Sequence, residues 1–208
     1  MSADGLVTTN LHVVSQLIHE PAKYRLELVG DDDLGVPASM VAIDVLHDLA
    51  IVRDQRPSAI YFSLLPNSLA QGTRLYSMGN PRDLGMTIIE GNYNGLLKSS
   101  RFERILFSGS LNPGMSGGPA FNQHGEVVGV NVTTGGEQLS FLVPAKQVQA
   151  LVDKSRDQVP GSDFKAEIGR ELVREAESFY LEREREPWRR ERFGELLLPR
   201  DLSPALKC

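Results

Sequence analysis

The sequence predicts an all-β fold, either a sandwich or a pair of barrels, followed by a helical extension. Short apolar runs separated by Gly, Pro, Asn and Asp recur through the first 155 residues, a pattern typical of sandwiches and barrels. After Val159-Pro160-Gly161-Ser162 the pattern changes, and residues 161–208 hold 21 of the 49 charged residues. The one cysteine, Cys208, cannot form an internal disulfide, so the core must stabilise the fold.

The apolar runs predict ten strands and one helix in the first part. In chain order the predicted strands are Leu6–Thr9, Tyr24–Val29, Met40–Ile43, Leu49–Val52, Leu75–Met78, Thr87–Ile89, Ile105–Phe107, Pro119–Phe121, Val127–Val132 and Phe141–Val143. The segment Gln123-His124-Gly125-Glu126 predicts a hairpin turn with Gly125 at positive φ. Val148, Leu151 and Val152 share one face of a helix predicted over Pro144–Lys154.

The C-terminal part predicts a second, amphipathic helix. Apolar residues recur every three or four positions, at Phe164, Ile168, Leu172, Ala176 and Phe179. Pro187 should end or kink this helix. We therefore expect two units, residues 1–155 and a charged helical extension over 161–208.

Composition excludes several classes of protein. The net charge is −5 with no basic stripe, which argues against a nucleic-acid partner. No stretch approaches 18 uninterrupted apolar residues, so no membrane span is predicted. No cysteine–histidine set has zinc spacing and no Gly-x-x-x-x-Gly-Lys phosphate loop occurs, so no metal or other cofactor is expected.

One glycine-rich loop carries a candidate nucleophile. In Asn112-Pro113-Gly114-Met115-Ser116-Gly117-Gly118-Pro119 the serine lies between predicted strands. Glycines let successive backbone N–H groups point into one space, where they can stabilise the oxyanion of an acyl-transfer intermediate. The same Gly-x-Ser-x-Gly pattern occurs in α/β-hydrolase elbows, but those need a long helix directly after the serine. Here a predicted strand follows, which excludes that interpretation.

A serine nucleophile needs a base and an orienting carboxylate, and both have candidates upstream. His12 lies where the first predicted strand ends, and Asp48 lies at the entry to another strand. Asp44, four residues earlier, is the rival carboxylate. The other histidines, His19, His47 and His124, lie in no such motif and are expected to be structural or exposed.

These segments resemble the trypsin-like (chymotrypsin-fold) serine proteases, and most closely their HtrA/Deg-like branch. The resemblance covers about Gly5 to Val152 and includes the family's His, Asp, Ser order. It is carried by Thr9-Asn10-Leu11-His12-Val13-Val14, His47-Asp48-Leu49-Ala50-Ile51-Val52, Met78-Gly79-Asn80-Pro81, Asn112–Pro119, Gly125–Asn131 and Ser140–Pro144. It implies two six-stranded-type antiparallel β-barrels. Because about eleven residues precede His12, we expect the first barrel to be incomplete and the N-terminus to be truncated relative to the family.

The resemblance also assigns roles to individual residues. It implies His12 as the general base, Asp48 as its orienter, Ser116 as the nucleophile, and the N–H groups of Gly114 and Ser116 as the oxyanion hole. Substrate would pair with the backbone of Val132, Thr133 and Thr134. Ser110 and Ser140 would form the floor and wall of the S1 pocket, and neither is charged, so a small or medium apolar P1 residue is expected.

The implied function is a serine endopeptidase acting on peptides or unfolded proteins. The alternative is a catalytically weak or inactive protease-fold module that binds extended peptides, which the incomplete first barrel favours. No PDZ-like domain is visible after the protease region, and the helical extension could instead mediate homo-oligomerisation or docking on a partner. Relatives of this kind are mostly periplasmic or otherwise exported, although no signal peptide is visible in this chain.

Overall fold

The structure is a computed structural model that describes Ser2 and residues 4–30, 34–54, 61–136, 138–156, 163–185 and 190–199. The strands are β1 (Leu6–Thr9), β2 (Glu27–Val29), β3 (Gly35–Asp44), β4 (Leu49–Asp54), β5 (Arg74–Gly79), β6 (Thr87–Leu96), β7 (Ile105–Phe107), β8 (Pro119–Phe121), β9 (Val127–Gly136), β10 (Leu139–Pro144), β11 (Arg190–Phe193) and β12 (Leu196–Pro199). The helices are α1 (Leu11–His19), α2 (Ala145–Ser155) and α3 (Phe164–Arg185), and Pro81–Asp83 forms a 3₁₀ turn.

Strands β5 to β10 close into an antiparallel barrel in the order β10-β7-β6-β5-β8-β9. Its core is made of alternating inward side chains, among them the fully buried Leu75, Phe107 and Leu142. Closure leaves no edge strand, so every strand of this barrel has two neighbours.

The N-terminal strands form an open sheet with the order β1-β4-β3-β2. Along β4 the residues Leu49, Ala50, Ile51 and Val52 are all buried, because packed groups lie on both faces of this strand. The predicted all-β fold, with one complete barrel and one incomplete unit, is confirmed.

A shared cluster joins the two sheets. Leu6 and Ile51 from the open sheet pack with Val130 and Val143 from the barrel, and α2 covers them with Val148 and Leu151. The predicted helical face of Val148, Leu151 and Val152 is the face that contacts this cluster.

Helix α3 covers part of the open sheet. Phe164 and Ile168, one helical turn apart, pack against a core cluster that contains Leu11, Val14 and Ile43. An ion pair between Lys154 Nζ and Glu167 Oε1 (2.9 Å) attaches the same turn of α3 to the end of α2. The first turns of α3 therefore bury apolar surface that an open sheet would otherwise expose to water.

Apart from differences in strand bounds, two features of the described residues are absent from the sequence-based prediction. The segment after β1, in which no helix was predicted, forms α1. The extension predicted as helical also contains the hairpin β11–β12, in which Phe193 pairs with Leu196 around Gly194 at φ +63°. Both the predicted boundary at residues 159–162 and the predicted helix end at Pro187 lie outside the described residues. Among the described helices, none combines the length and apolar character needed to cross a membrane.

Candidate active site

His12 and Asp48 are joined by two hydrogen bonds. His12 lies in the first turn of α1, directly after β1, and Asp48 precedes β4, the strand paired with β1. The Asp48 carboxylate accepts from the His12 backbone N–H through Oδ1 (2.9 Å) and lies 2.6 Å from His12 Nδ1 through Oδ2. Since an ionised carboxylate only accepts, this contact places the ring proton on Nδ1 and leaves Nε2 as the acceptor.

The backbone carbonyl of Asp48, like its side chain, accepts two hydrogen bonds. Its carbonyl oxygen accepts from Leu11 N (3.2 Å) and from the amide of the fully buried Asn10 (2.9 Å). Asp48 has φ +60°, in the left-handed region where Asp and Asn are enriched. This conformation turns both the carbonyl and the carboxylate of Asp48 toward the start of α1.

Asp44, the rival carboxylate, belongs to a separate pair. Its side chain lies 2.7 Å from His47 Nδ1 and accepts from the backbone N–H groups of Leu46 and His47. Burial acts to raise the pKa of Asp44, but the hydrogen bonds from His47 and Leu46 outweigh it and hold this pKa below its ordinary value. The orienting contact with His12 is thus made by Asp48 and not by Asp44.

A half-buried cation, Arg104, lies near enough to Asp48 and Asp44 to interact electrostatically with both carboxylates. Desolvation lowers the pKa of Arg104 from its ordinary value, while the negative charges of Asp48 and Asp44 oppose that shift. No sequence motif pointed to Arg104, because it comes near the two carboxylates only when the segment before β7 folds over the loop between β3 and β4.

Ser116 lies on the loop between β7 and β8 and shares a cleft with His12 and Asp48. The cleft has a volume of about 420 Å³, and its lining residues are His12, Asp48, Leu111, Asn112, Pro113, Ser116 and Val132. The Ser116 hydroxyl donates to the carbonyl oxygen of Val132 at 3.1 Å. The hydrogen bonds of the described residues do not include one between Ser116 and His12.

The glycines of the serine loop are required by close packing and by backbone conformation. Gly114 has φ +97°, and a Cβ there would lie 2.3 Å from the carbonyl oxygen of Asn80. A Cβ on Gly118 would lie 2.2 Å from the carbonyl oxygen of Met78. The Met78-Gly79-Asn80-Pro81 turn is therefore in direct contact with the serine loop.

The N–H groups of Gly114 and Ser116 are available for a ligand. Within this described loop, the N–H groups of Met115, Gly117 and Gly118 each have a backbone acceptor, whereas those of Gly114 and Ser116 have none. Two unpaired donors, one of them on the candidate nucleophile, are what an oxyanion requires.

The other predicted substrate residues divide into two groups. Val132 lines the cleft, and Thr133 and Thr134 follow it in β9, where only their backbone lies within the described structure. Ser110 and Ser140 are not among the lining residues. Ser110 is exposed, and the fully buried Ser140 accepts from Leu111 N at 3.0 Å. Ser140 thus fixes Leu111, the residue before the serine motif, by a buried hydrogen bond.

Sequence reasoning did not select Leu111, Asn112 and Pro113 as wall residues of the cleft. They precede the serine motif or belong to it, so their position in sequence could have indicated them. The described residues include no group of three or more His, Cys, Asp or Glu side chains that could hold a metal ion.

Comparison with known proteins identifies the family to which the chain belongs. The family profile of the trypsin-like peptidase domain matches residues 1–130, so the chain belongs to that family. The serine protease HTRA1 of Xenopus laevis is 28% identical over 167 residues, which cover 76% of this chain and 35% of that protein. A probable periplasmic serine endoprotease, DegP-like, of Brucella suis biovar 1 is 29% identical over 166 residues, covering 74% of this chain and 31% of that protein.

A solved structure shows the same fold. The crystal structure of the serine endoprotease from Yersinia pestis superposes with a TM-score of 0.65 at 25% identity, covering 76% of this chain and 56% of that one. The HtrA/Deg-like resemblance is confirmed at the level of family and fold. The chain spans 35% and 31% of the two curated relatives.

Proposed function

We propose that this chain is a serine endopeptidase that cleaves peptide bonds through an acyl-enzyme intermediate. The observation that carries the proposal is the convergence of His12, Asp48 and Ser116 on one cleft, with Asp48 hydrogen-bonded to both the backbone and the ring of His12. Each of these side chains matches a requirement of serine-based acyl transfer.

The proposed reaction begins with the Ser116 hydroxyl turning from Val132 toward His12. His12 Nε2 takes its proton as Ser116 Oγ attacks the peptide carbonyl carbon, and the Asp48 carboxylate stabilises the imidazolium that forms. The N–H groups of Gly114 and Ser116 stabilise the oxyanion. His12 then gives the proton to the leaving amine, and a water activated in the same way hydrolyses the acyl-enzyme.

The same cleft supports an extended peptide or unfolded protein as substrate. Within the described residues, β8 pairs with β9 only as far as Val130, so β8 does not cover the edge of β9 at Val132 and Thr133. An extended chain can add to such an edge by backbone hydrogen bonds. Leu111, Pro113 and Val132 give the cleft apolar wall, which favours a small or medium apolar P1 side chain over Arg or Lys.

One observation favours the alternative of a binding module without turnover. The Ser116 hydroxyl donates its hydrogen bond to the carbonyl oxygen of Val132 and not to His12, whose side chain is 49% exposed. A hydroxyl that stayed in this orientation could not pass its proton to the ring, while the β9 edge would still bind peptides.

A fluorophosphonate probe separates the two functions, because it reacts only with an activated serine. We expect the wild type to be labelled and both Ser116→Ala and His12→Ala to be unlabelled. The matched control is His124→Ala, since this exposed histidine lies in the β8–β9 turn. Peptide hydrolysis should fall by about 10⁴–10⁶ in kcat in Ser116→Ala. An unlabelled wild type that still binds extended peptides would establish the binding module instead.

A further inference from the structure

A buried asparagine lies directly beneath the serine loop. Asn131 in β9 is fully buried, and its amide oxygen accepts from the equally buried Ser77 Oγ at 2.8 Å. Its amide nitrogen donates to two carbonyl oxygens, those of Met78 and Met115, at 3.0 Å each. Both donor hydrogens of this side chain are therefore used, and both bonds reach the loops that surround the nucleophile.

The bond to Met115 determines where the Ser116 N–H points. In a trans peptide the C=O and the following N–H point in opposite directions. The Met115 carbonyl accepts from Asn131 and also from Gly118 N (3.2 Å), so it is held on the inner side of the loop. The Ser116 N–H consequently points outward, and it is one of the two unpaired donors described above.

The Pro113–Gly114 peptide of the same loop is also held by a hydrogen bond to its carbonyl oxygen. The Pro113 carbonyl accepts from the backbone N–H of Arg82 at 2.9 Å, which turns the Gly114 N–H the opposite way. The turn that contains Arg82 follows Met78, the second acceptor of Asn131. Gly79 in this turn is so close to the loop that a Cβ there would lie 2.7 Å from Met115 Cα.

We propose that Asn131 is a positioning residue for peptide hydrolysis, which keeps the Ser116 N–H directed at the oxyanion. This inference rests on the proposed peptidase function. Rotation of the Met115–Ser116 peptide would remove that donor and bring a carbonyl oxygen toward the developing negative charge. By holding the Met115 carbonyl and the Met78 carbonyl together, Asn131 opposes that rotation and fixes the loop to the end of β5.

A positioning role and a merely structural role predict different kinetics. The oxyanion forms only in the transition state, so loss of its donor lowers kcat while binding of the uncleaved peptide is retained. If the side chain only filled space and made hydrogen bonds in the core, its removal would lower stability and would reduce peptide binding and turnover together. Ser77 provides the matched control, because Ser77→Ala removes a buried hydrogen bond from the same amide but leaves both of its N–H donors in place.

The experiment compares Asn131→Ala and Ser77→Ala below the unfolding temperature of each variant, as measured by circular dichroism. We expect Asn131→Ala to lose about 10²–10³ in kcat, and Ser77→Ala, which removes one neutral hydrogen bond, to lose about one order of magnitude or less. A peptidyl trifluoromethyl ketone, which forms an oxyanion on the serine, should bind Asn131→Ala more weakly by the same factor as kcat/KM falls. Affinity for the uncleaved peptide is measured in the Ser116→Ala background and should not change when Asn131→Ala is added.

If Asn131→Ala is unfolded at the assay temperature, Asn131→Ser, whose shorter side chain retains one hydroxyl donor, is measured against the same predictions with a smaller expected loss. Suppose the wild type is active and a folded Asn131 variant loses no kcat, or loses no more kcat than Ser77→Ala. Either result would overturn the inference about Asn131 and leave the proposed peptidase function standing. A wild type that neither reacts with fluorophosphonate nor hydrolyses peptides would overturn both.

Discussion

Replacement of Asp48 by asparagine should abolish most activity by moving one proton within His12. In the wild type the two carboxylate oxygens accept from the His12 backbone N–H (2.9 Å) and from Nδ1 (2.6 Å). The backbone N–H can only donate, so in Asp48→Asn the amide oxygen must face it and the amide NH₂ must face Nδ1. The ring proton then moves to Nε2, the atom that has to accept the proton of Ser116.

The expected cost is about 10⁴ in kcat, the size of the wrong-tautomer effect in a Ser-His-Asp triad. This loss corresponds to about 5 kcal/mol of transition-state stabilisation. The backbone should not change, because Asn tolerates the φ of +60° that Asp48 adopts. The assay is steady-state hydrolysis of a peptide amide, with circular dichroism to show that the variant is folded.

Asp44→Asn is the matched control for this prediction. It makes the same chemical change four residues away, and its carboxylate also accepts from a histidine ring and from backbone N–H groups. Asp44 does not line the cleft, so this variant should lose stability but keep its kcat. Retention of kcat in Asp48→Asn, or equal losses in the two variants, would refute the reasoning.

Three further predictions concern the loop, the extension and pH. Gly114→Ala should lower kcat by about 10²–10³ because it displaces an oxyanion donor. Gly125→Ala is the control: this residue has φ +75° with open space around it, so the substitution should cost only about 1 kcal/mol of stability. Steady-state kinetics and urea denaturation of both variants test this prediction. Phe164→Ala should lower the free energy of unfolding by about 2 kcal/mol, roughly half the cost at a fully buried site. Leu172→Ala, at an exposed position on the same helix, should change this free energy little. A large loss in Leu172→Ala alone would contradict the observed packing of α3. The pKa of Asp44 is depressed in the folded state, so its stabilising contribution is complete above its ordinary pKa of 3.8 and is lost as the pH falls through the lower folded value. The difference in unfolding free energy between wild type and Asp44→Asn, measured by urea denaturation against pH, should therefore vanish in strongly acidic solution.

Local sequence predicted the elements whose side chains alternate or recur regularly. Strands β1, β7 and β8 have the predicted bounds, and the turn at Gly125 has the predicted positive φ. These features depend on near neighbours in the chain, which is why a sequence pattern reveals them. The predicted apolar face of α3 is only partly packed: Phe164 and Ile168 contact the core under the open sheet, whereas Leu172 and Ala176 on the same predicted face are exposed.

Features that depend on distant residues were not predicted. Asn131 looks like any polar residue in a strand until folding places Ser77, Met78 and Met115 around its amide. The hydrogen bond that the Ser140 hydroxyl accepts from Leu111 N also joins residues far apart in the chain, and no local pattern indicates it. The hairpin β11–β12 lacked the turn sequence that most clearly marks such elements, since its turn is Gly194-Glu195 rather than Asn-Gly or Asp-Gly.

The proposed base, His12, and the proposed nucleophile, Ser116, are anchored in different cores. Leu11 and Val14, on either side of His12, belong to the cluster that α3 covers with Phe164 and Ile168, whereas Leu111 and Met115 of the serine loop are buried in the closed barrel. Under this proposal, loss of the packing of α3 on that cluster should loosen the segment that carries His12, while the loop that carries Ser116 stays in place. Helix α3 thus packs on the core that positions the proposed base.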